Sequence, residues 1–420
     1  MKTAKRILTW ALAVALVLSL TGVFALAVED DEPVKETRDD VTAITVSVRI
    51  EGQTENLFYN TAVRLVPVGE EPLTVLDLAT ILNESETAPD FTFKDSGYGP
   101  YITAIGDLEE GTNAEWDGWQ FRVNGISPVV GISAYELADG DSVVFYYSDE
   151  FGMGFAFPEI DLTNIYNGNI SFTTTVTTYD DEGTPSTAVV PVADAVVTIG
   201  DDTRTTDENG TIALNVFGGF RTLQIEKTDA ETGIPLVLRL APDYEIFVPF
   251  TDTEEGAWYD EAIQYNVKSG LFKGNQDGTF NPDGNMTLAE LTQVLYRVAD
   301  GVDVVGAEFW YTGALNWAVE SGLFPEESFK PDVVVQRQQF IFLFNKTIEI
   351  VGERDIEARA DLTEATDYDD ISGSYLEAVE WAVASGLING TSEETLTINP
   401  KGTITRAEVC KMLQNYYTAV

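Results

Sequence analysis

The chain has no histidine among its 420 residues. That excludes Ser-His-Asp and Cys-His catalysis, imidazole ligation of a metal, and the usual zinc sites. Its one cysteine, Cys410, permits no intrachain disulfide. An exported protein with a fair-sized core can manage without one. Positive charge is scarce: 24 Lys and Arg face 70 Asp and Glu, a net −46. So acidic a surface repels nucleic acid and anionic lipid, and neither is expected as a partner. Beyond residue 27 no apolar run is long enough to span a bilayer. There is no phosphate-binding Gly loop, and among 70 acids proximity singles out no glycosidase pair. Asp277-Gly278, Asp207-Glu208-Asn209-Gly210 and Asp139-Gly140-Asp141 do not fit the twelve-residue calcium loop and are turns first. Apolar content of 44% is that of a folded chain. The expectation is a protein that is not an enzyme, with no catalytic residues and no metal site; a wall-bound carbohydrate hydrolase working through carboxylates is the lesser alternative.

The first 27 residues carry an export signal. Lys2, Lys5 and Arg6 precede the apolar run Ile7 to Val23, and Ala25-Leu26-Ala27 offers a small-x-small cleavage site before Glu29-Asp30-Asp31-Glu32. Cleavage leaves a chain that does not span the membrane and takes the net charge from −46 to −49 by removing those three cations. Val28 to Val420 is enough chain for roughly two to four domains.

Residues 28–40 are an acidic linker. Residues 41–150 form an α+β, β-rich domain. Ile44, Val46 and Val48 alternate as one face of a strand. Thr74-x-x-Asp77 is a capping box ahead of the stripe Val75, Leu78, Ala79 and Leu82. Asn124-Gly125 after Trp119 to Val123 is tight-hairpin chemistry. Residues 151–165 are a second linker. Residues 166–248 have short Thr- and Val-rich strands, expected at 170–179, 195–199, 211–216, 222–227 and 236–240, a β-sandwich pattern.

Two resemblances attach to these segments. Thr74 to Leu78, Tyr98 to Ile105, Trp119 to Gly125 and Tyr135 to Asp141 resemble a bacterial domain family of unassigned function. That family is related to the C-terminal β-domain of transcobalamin and intrinsic factor. The resemblance implies a binding role for an unknown ligand, with cobalamin as the alternative reading. The vitamin carriers' helical domain has no counterpart here, and no cofactor is the primary expectation. Trp116, Trp119 and Tyr101 are the candidate ligand face. Val192 to Thr198 with Thr206 to Gly210 is similar to the carboxypeptidase regulatory-like sandwiches, which implies a spacer.

The last third repeats one pattern three times, over 249–300, 301–365 and 366–420. Trp258 … Ser269-Gly270-Leu271-Phe272 … Asn281-Pro282-Asp283 … Thr287-Leu288-Ala289-Glu290 recurs as Trp310 … Ser321-Gly322-Leu323-Phe324 … Lys330-Pro331-Asp332 … Gln336-Arg337-Gln338-Gln339. It recurs again as Ser385-Gly386-Leu387-Ile388 … Asn399-Pro400 … Thr405-Arg406-Ala407-Glu408. Each unit is a helix, a Gly stop, a loop with Pro and a capped second helix, so an all-α bundle of three helix-loop-helix repeats is expected. The set resembles the S-layer homology family, which comes as three tandem copies. The resemblance implies a secreted protein on the extracellular face of the cell wall or S-layer. It would be anchored non-covalently to an anionic, often pyruvylated, wall polysaccharide.

Thr287, Glu290, Thr405 and Glu408 are accounted for as helix caps. Arg406 is not, since a cation in the first turn opposes the helix dipole. Gripping an anion together with helix N–H groups would explain it. Arg337 fills the same slot in the second repeat, and Leu288 occupies it in the first. The resemblance further implies polymer contacts at Trp258, Lys273, Gly274, Arg337, Asn389, Gly390 and Arg406. For Trp258 and Trp310 a core role and a sugar-stacking role are both open. Cys410, beside the apolar stripe of the last helix, is expected to be a buried hydrophobe.

Overall fold

The computed structural model describes residues 43–419 apart from 68, 70, 98, 150–154, 180, 181, 183, 353–355 and 389–395. The signal peptide, the linker at 28–40, Tyr98, Asn389 and Gly390 therefore lie outside the described residues. Two compact units result: residues 43–215 with 221–246, and residues 216–220 with 247–419.

The β-rich unit begins with β1 (Ile44–Glu51), β2 (Asn56–Leu65), α1 (Val75–Leu82), β3 (Phe91–Asp95), β4 (Pro100–Ile105), β5 (Leu108–Glu109), β6 (Gly118–Val123) and β7 (Ser142–Ser148). One sheet runs β2-β1-β7-β6 and another β3-β4-β5. β1 and β7 are parallel, which demands a long crossover; α1 and the second sheet lie within it. Val46 and Val48 point inward with Val143 and Phe145, as the alternation requires. At the start of α1, Asp77 N–H donates to Thr74 Oγ1 and Thr74 N–H donates to Asp77 Oδ2, closing the box. Val75, Leu78, Ala79 and Leu82 are all buried; a fully buried Val or Leu contributes about 1.5–3 kcal/mol. Asn124 and Gly125 adopt the expected positive φ angles, 50° and 75°. Yet their turn closes only the bridge from Val123 to Ile126, because β6 takes β7, some twenty residues on, as its partner.

The chain continues through β8 (Glu159–Asp161), β9 (Asn169–Tyr179), β10 (Pro185–Pro191), β11 (Val196–Ile199), β12 (Asp202–Thr205), β13 (Thr211–Ala213), β14 (Gly219–Glu226) and β15 (Glu245–Val248), the first two residues of β14 and the last two of β15 being counted with the second unit. One sheet is β10-β9-β13 with β8 on β9, the other β12-β11-β14-β15. The strand expected at 236–240 does not form. The Leu236 and Leu238 amides donate instead to Lys227 O and Ala156 O. Part of the segment expected as a linker is structured: β8 pairs along β9, Phe155 stacks on Tyr146 at 5.0 Å, and the Arg122 guanidinium lies 3.5 Å over the Phe157 ring. The two β-rich parts are also clasped by charge. Buried Glu51 receives Arg49 at 3.0 Å and Arg239 at 2.9 Å, and Arg239 donates further to the carbonyls of Gly52 and Glu55. Tyr59 donates to Asp243 at 2.8 Å.

The helical unit has α2 (Asp260–Lys268), α3 (Leu288–Val298), α4 (Thr312–Glu320), α5 (Arg337–Val351), α6 (Leu376–Ala384) and α7 (Arg406–Thr418), two per repeat. Gly270, Gly322 and Gly386 end the first helix of each pair at φ of 72°, 76° and 76°, where a side chain would be strained. One continuous core runs through all three pairs and includes Phe272, Phe280, Phe340, Phe344, Trp381 and Tyr416. Cys410 lies fully inside it, and burial pushes its thiol pKa up. α2 meets α7 through buried Asn266, whose amide donates to Ala262 O and to Cys410 O, 144 residues away. No helix among the described residues is long and apolar enough to cross a membrane.

Candidate functional site

The three repeats close on one another. Met286 N–H donates to Ile404 O, Ile404 N–H to Val335 O, and Val335 N–H to Met286 O, a cycle that uses one residue of each repeat. Each second helix then rests its first amides on another repeat's loop. Leu288 and Ala289 donate to Val333 O and Pro331 O. Arg337 and Gln338 donate to Gly402 O and Pro400 O, and Arg406 and Ala407 to Gly284 O and Pro282 O. The N–H groups that the sequence offered for an anion are thus already satisfied by protein carbonyls.

The acids that close the tetrads Thr287–Glu290 and Thr405–Glu408 have two jobs. Glu290 Oε2 accepts from Thr287 N–H at 2.9 Å, while Oε1 faces Arg406 at 3.6 Å. Glu408 Oε2 accepts from Thr405 N–H at 2.8 Å, while Oε1 faces Arg337 at 3.4 Å. In the middle repeat Gln339 Oε1 takes over the cap, accepting from Gln336 N–H at 2.8 Å. The ring of pairs runs from repeat three to repeat one and from repeat two to repeat three. The remaining seam, from repeat one to repeat two, has Leu288 in the arginine slot and Gln339 in the acid slot, so it has lost both charges.

Arg406 is only 8% exposed. Its Nε donates to Phe280 O at 2.8 Å and Nη2 to Lys273 O at 3.1 Å, and its guanidinium lies over the Phe280 and Phe272 rings. The geometry therefore supplies the reason for this arginine that capping did not: it braces the repeat-one loop from behind. Arg337 is equally buried, but its Nε has no hydrogen-bond partner among the described residues. Burial lowers the pKa of both guanidiniums, and the facing glutamates offset this only in part.

The other candidates separate. Trp258 is 58% exposed and Trp310 57%, which removes the core role for both. Lys273 reaches solvent and pairs with Asp303 at 2.7 Å. Gly274 is required by packing, since a Cβ there would come within 2.0 Å of the Phe250 ring. In the β-rich unit Trp116 is exposed, and Tyr101 is half-buried with its hydroxyl 3.3 Å from Glu110. Trp119 belongs to the core rather than to an outer face: it is buried, donates to Leu108 O and packs edge-on against Tyr147. Sequence reasoning missed Asp303, which pairs with Lys273, and Arg297 and Gln293, which donate to the same carboxylate. The rarity of cations was the one signal that could have drawn attention to Arg297.

A closed ring of helix pairs defines a helical repeat module. The S-layer homology domain matches residues 249–292 and 366–410, and a domain of unknown function (DUF4430) matches residues 74–149. The chain is thus a modular, secreted cell-surface protein that carries S-layer homology domains, of the kind found at the cell wall and S-layer. It is 33% identical over 160 residues to the Surface-layer 125 kDa protein of Lysinibacillus sphaericus, covering 35% of this chain and 13% of that protein. It is 29% identical over 117 residues to the Cellulosome-anchoring protein of Acetivibrio thermocellus, covering 24% of this chain and 26% of the relative. The chain thus spans about a quarter or less of these curated relatives. Haptocorrin in complex with Cbi aligns with 26% of this chain and 25% of its own at 19% identity and a TM-score of 0.23, a likeness too slight to carry an argument.

Proposed function

We propose that the helical unit holds the protein non-covalently on an anionic, carboxylate-bearing polysaccharide of the bacterial wall, and that the DUF4430 domain is displayed as a binding module. The middle helix pair, outside the two matched segments, serves in this reading as a diverged third copy closing the ring. The observation that carries the reading is the gathering of Lys273, Arg297 and Arg406 around one repeat-one loop in a chain of net charge −46. Cations so placed in an acidic protein suit an anionic ligand. Lys273, Arg337, Trp258, Asn389 and Gly390 are the polymer contacts we propose, with Arg406 holding the backbone of Lys273. No reaction and no cofactor belong to the proposal.

Sedimentation with purified sacculi tests it. The full chain should pellet with walls, and a chain truncated before Phe247 should stay in solution. Retention of the truncated chain with equal affinity would sink the anchor. A spectral titration with cobalamin decides the alternative role of the first domain, and a shift of the corrin bands at micromolar protein would establish it.

A further inference from the structure

Asp303 lies in the connection between α3 and α4, and its carboxylate takes four donors. Lys273 Nζ reaches Oδ2 at 2.7 Å and Arg297 Nη2 the same oxygen at 2.9 Å. Arg297 Nε reaches Oδ1 at 3.0 Å and Gln293 Nε2 the same oxygen at 2.8 Å. The two-pronged guanidinium is the geometry with which arginine reads a free carboxylate. Arg297 is itself fixed, with Nη1 donating to Leu271 O at 3.0 Å. Lys273 is held through its backbone by Arg406. The cradle is thus built from the protein side.

Its occupant is held differently. Val302 and Val304, on either side of it, are 78% and 48% exposed, and Val305 is 97% exposed. Contacts with the body of the unit exist at Gly301, where a Cβ would come within 2.2 Å of the Tyr296 ring, and at Val304, which lies against Gly313. Asp300 turns the chain out of α3 at φ 58° and Gly306 turns it again at φ 80°. The Lys273 side chain remains 64% exposed, so the cradle faces solvent.

We infer that Lys273, Arg297 and Gln293 form a subsite for the carboxylate of an acidic sugar, and that Asp303 is its built-in occupant, displaced when the sugar binds. The inference rests on the anchor reading above and adds an internal competitor to it. A carboxylate tethered by a short connection competes at an effective concentration of about millimolar. Isolated acidic sugars would bind poorly against it, whereas a polymer carrying many carboxylates would displace it. The subsite therefore favours dense polyanion over free uronate.

Asp303→Asn in the full chain tests this, with purified sacculi and D-glucuronate as probes and glucose as the neutral control. Wall affinity should rise about tenfold, because the tethered rival has lost its charge. Glucuronate should bind the variant more tightly than the wild type, glucose should bind neither, and adding Lys273→Met should cancel the gain. Asp303→Asn with unchanged or lower affinity, while the wild type still pellets with walls, overturns the internal occupant and leaves the anchor standing. A wild type that does not pellet overturns the anchor itself. Hydrogen exchange on the wild type needs no variant: saturating walls should increase exchange at residues 301–305, and unchanged protection there would also overturn the inference.

Discussion

Replacing Arg406 with alanine should unfold the helical unit far more readily than its surface-like place in a tetrad suggests. The side chain donates to two carbonyls, Phe280 O at 2.8 Å and Lys273 O at 3.1 Å, and faces Glu290 at 3.6 Å. Hydrogen bonds from a charged group are worth about 1.5–3 kcal/mol each, and a desolvated cation over an aromatic ring contributes up to about 2 kcal/mol. These terms overlap, and breaking a buried charged network by removing one partner typically costs about 3–5 kcal/mol. We take that range for Arg406→Ala. Thr405→Ala, losing one cap next door, should cost about 1 kcal/mol. Helical circular dichroism during urea denaturation separates the two, because α2 to α7 supply nearly all the described helix. The sequence offers Arg406 as a grip for an anion, which would make wall binding the larger loss. Burial of the guanidinium changes that order. A loss below about 1 kcal/mol for Arg406→Ala would refute the brace, since no such network could be broken so cheaply.

Leu288→Arg alone should destabilise by about 1–3 kcal/mol, placing an unpaired charge in the seam. Adding Gln339→Glu should recover part of this, and a double-mutant cycle in urea should give a favourable coupling of about 1 kcal/mol or more. Glu51→Ala should strand Arg49 and Arg239 and cost the β-rich unit about 3–5 kcal/mol, visible as a lowered melting temperature with the helical transition unmoved. Asp303 is pulled down from 3.8 to about 2, chiefly by its hydrogen bonds from Arg297 and then Lys273. A depressed carboxyl stabilises above its unfolded value and loses that contribution as pH falls through the folded one. With the group partly exposed, about 1 kcal/mol should separate wild type from Asp303→Asn at pH 7 and shrink between pH 4 and pH 2. A gap in melting temperature that stays constant down to pH 3 would contradict this.

Local chemistry settled what depends on neighbours in the chain. Thr74, Thr287 and Thr405 cap their helices because a hydroxyl three residues from an acid can reach the free amides wherever the helix sits. The glycines of the Ser-Gly-Leu motifs stop helices because a left-handed residue is needed there, and Asn124-Gly125 turns for the same reason. The threefold repetition was legible because each unit repeats the same local instructions. Tertiary structure decided everything that depends on which segment lies opposite which. The second oxygens of Glu290 and Glu408 find arginines of other repeats, and the amides of Arg406 and Ala407 find Gly284 O and Pro282 O. No spacing within one repeat contains those partners. Trp119 and Trp116 stand three residues apart in equally aromatic surroundings, yet the fold buries one and exposes the other. Asp303 is one acid among 70 in the sequence, and only the folded chain brings Lys273, Arg297 and Gln293 around it. The physical reason is range: caps and turns act within a few residues, whereas desolvation and charge pairing are set by whatever the closed core brings near.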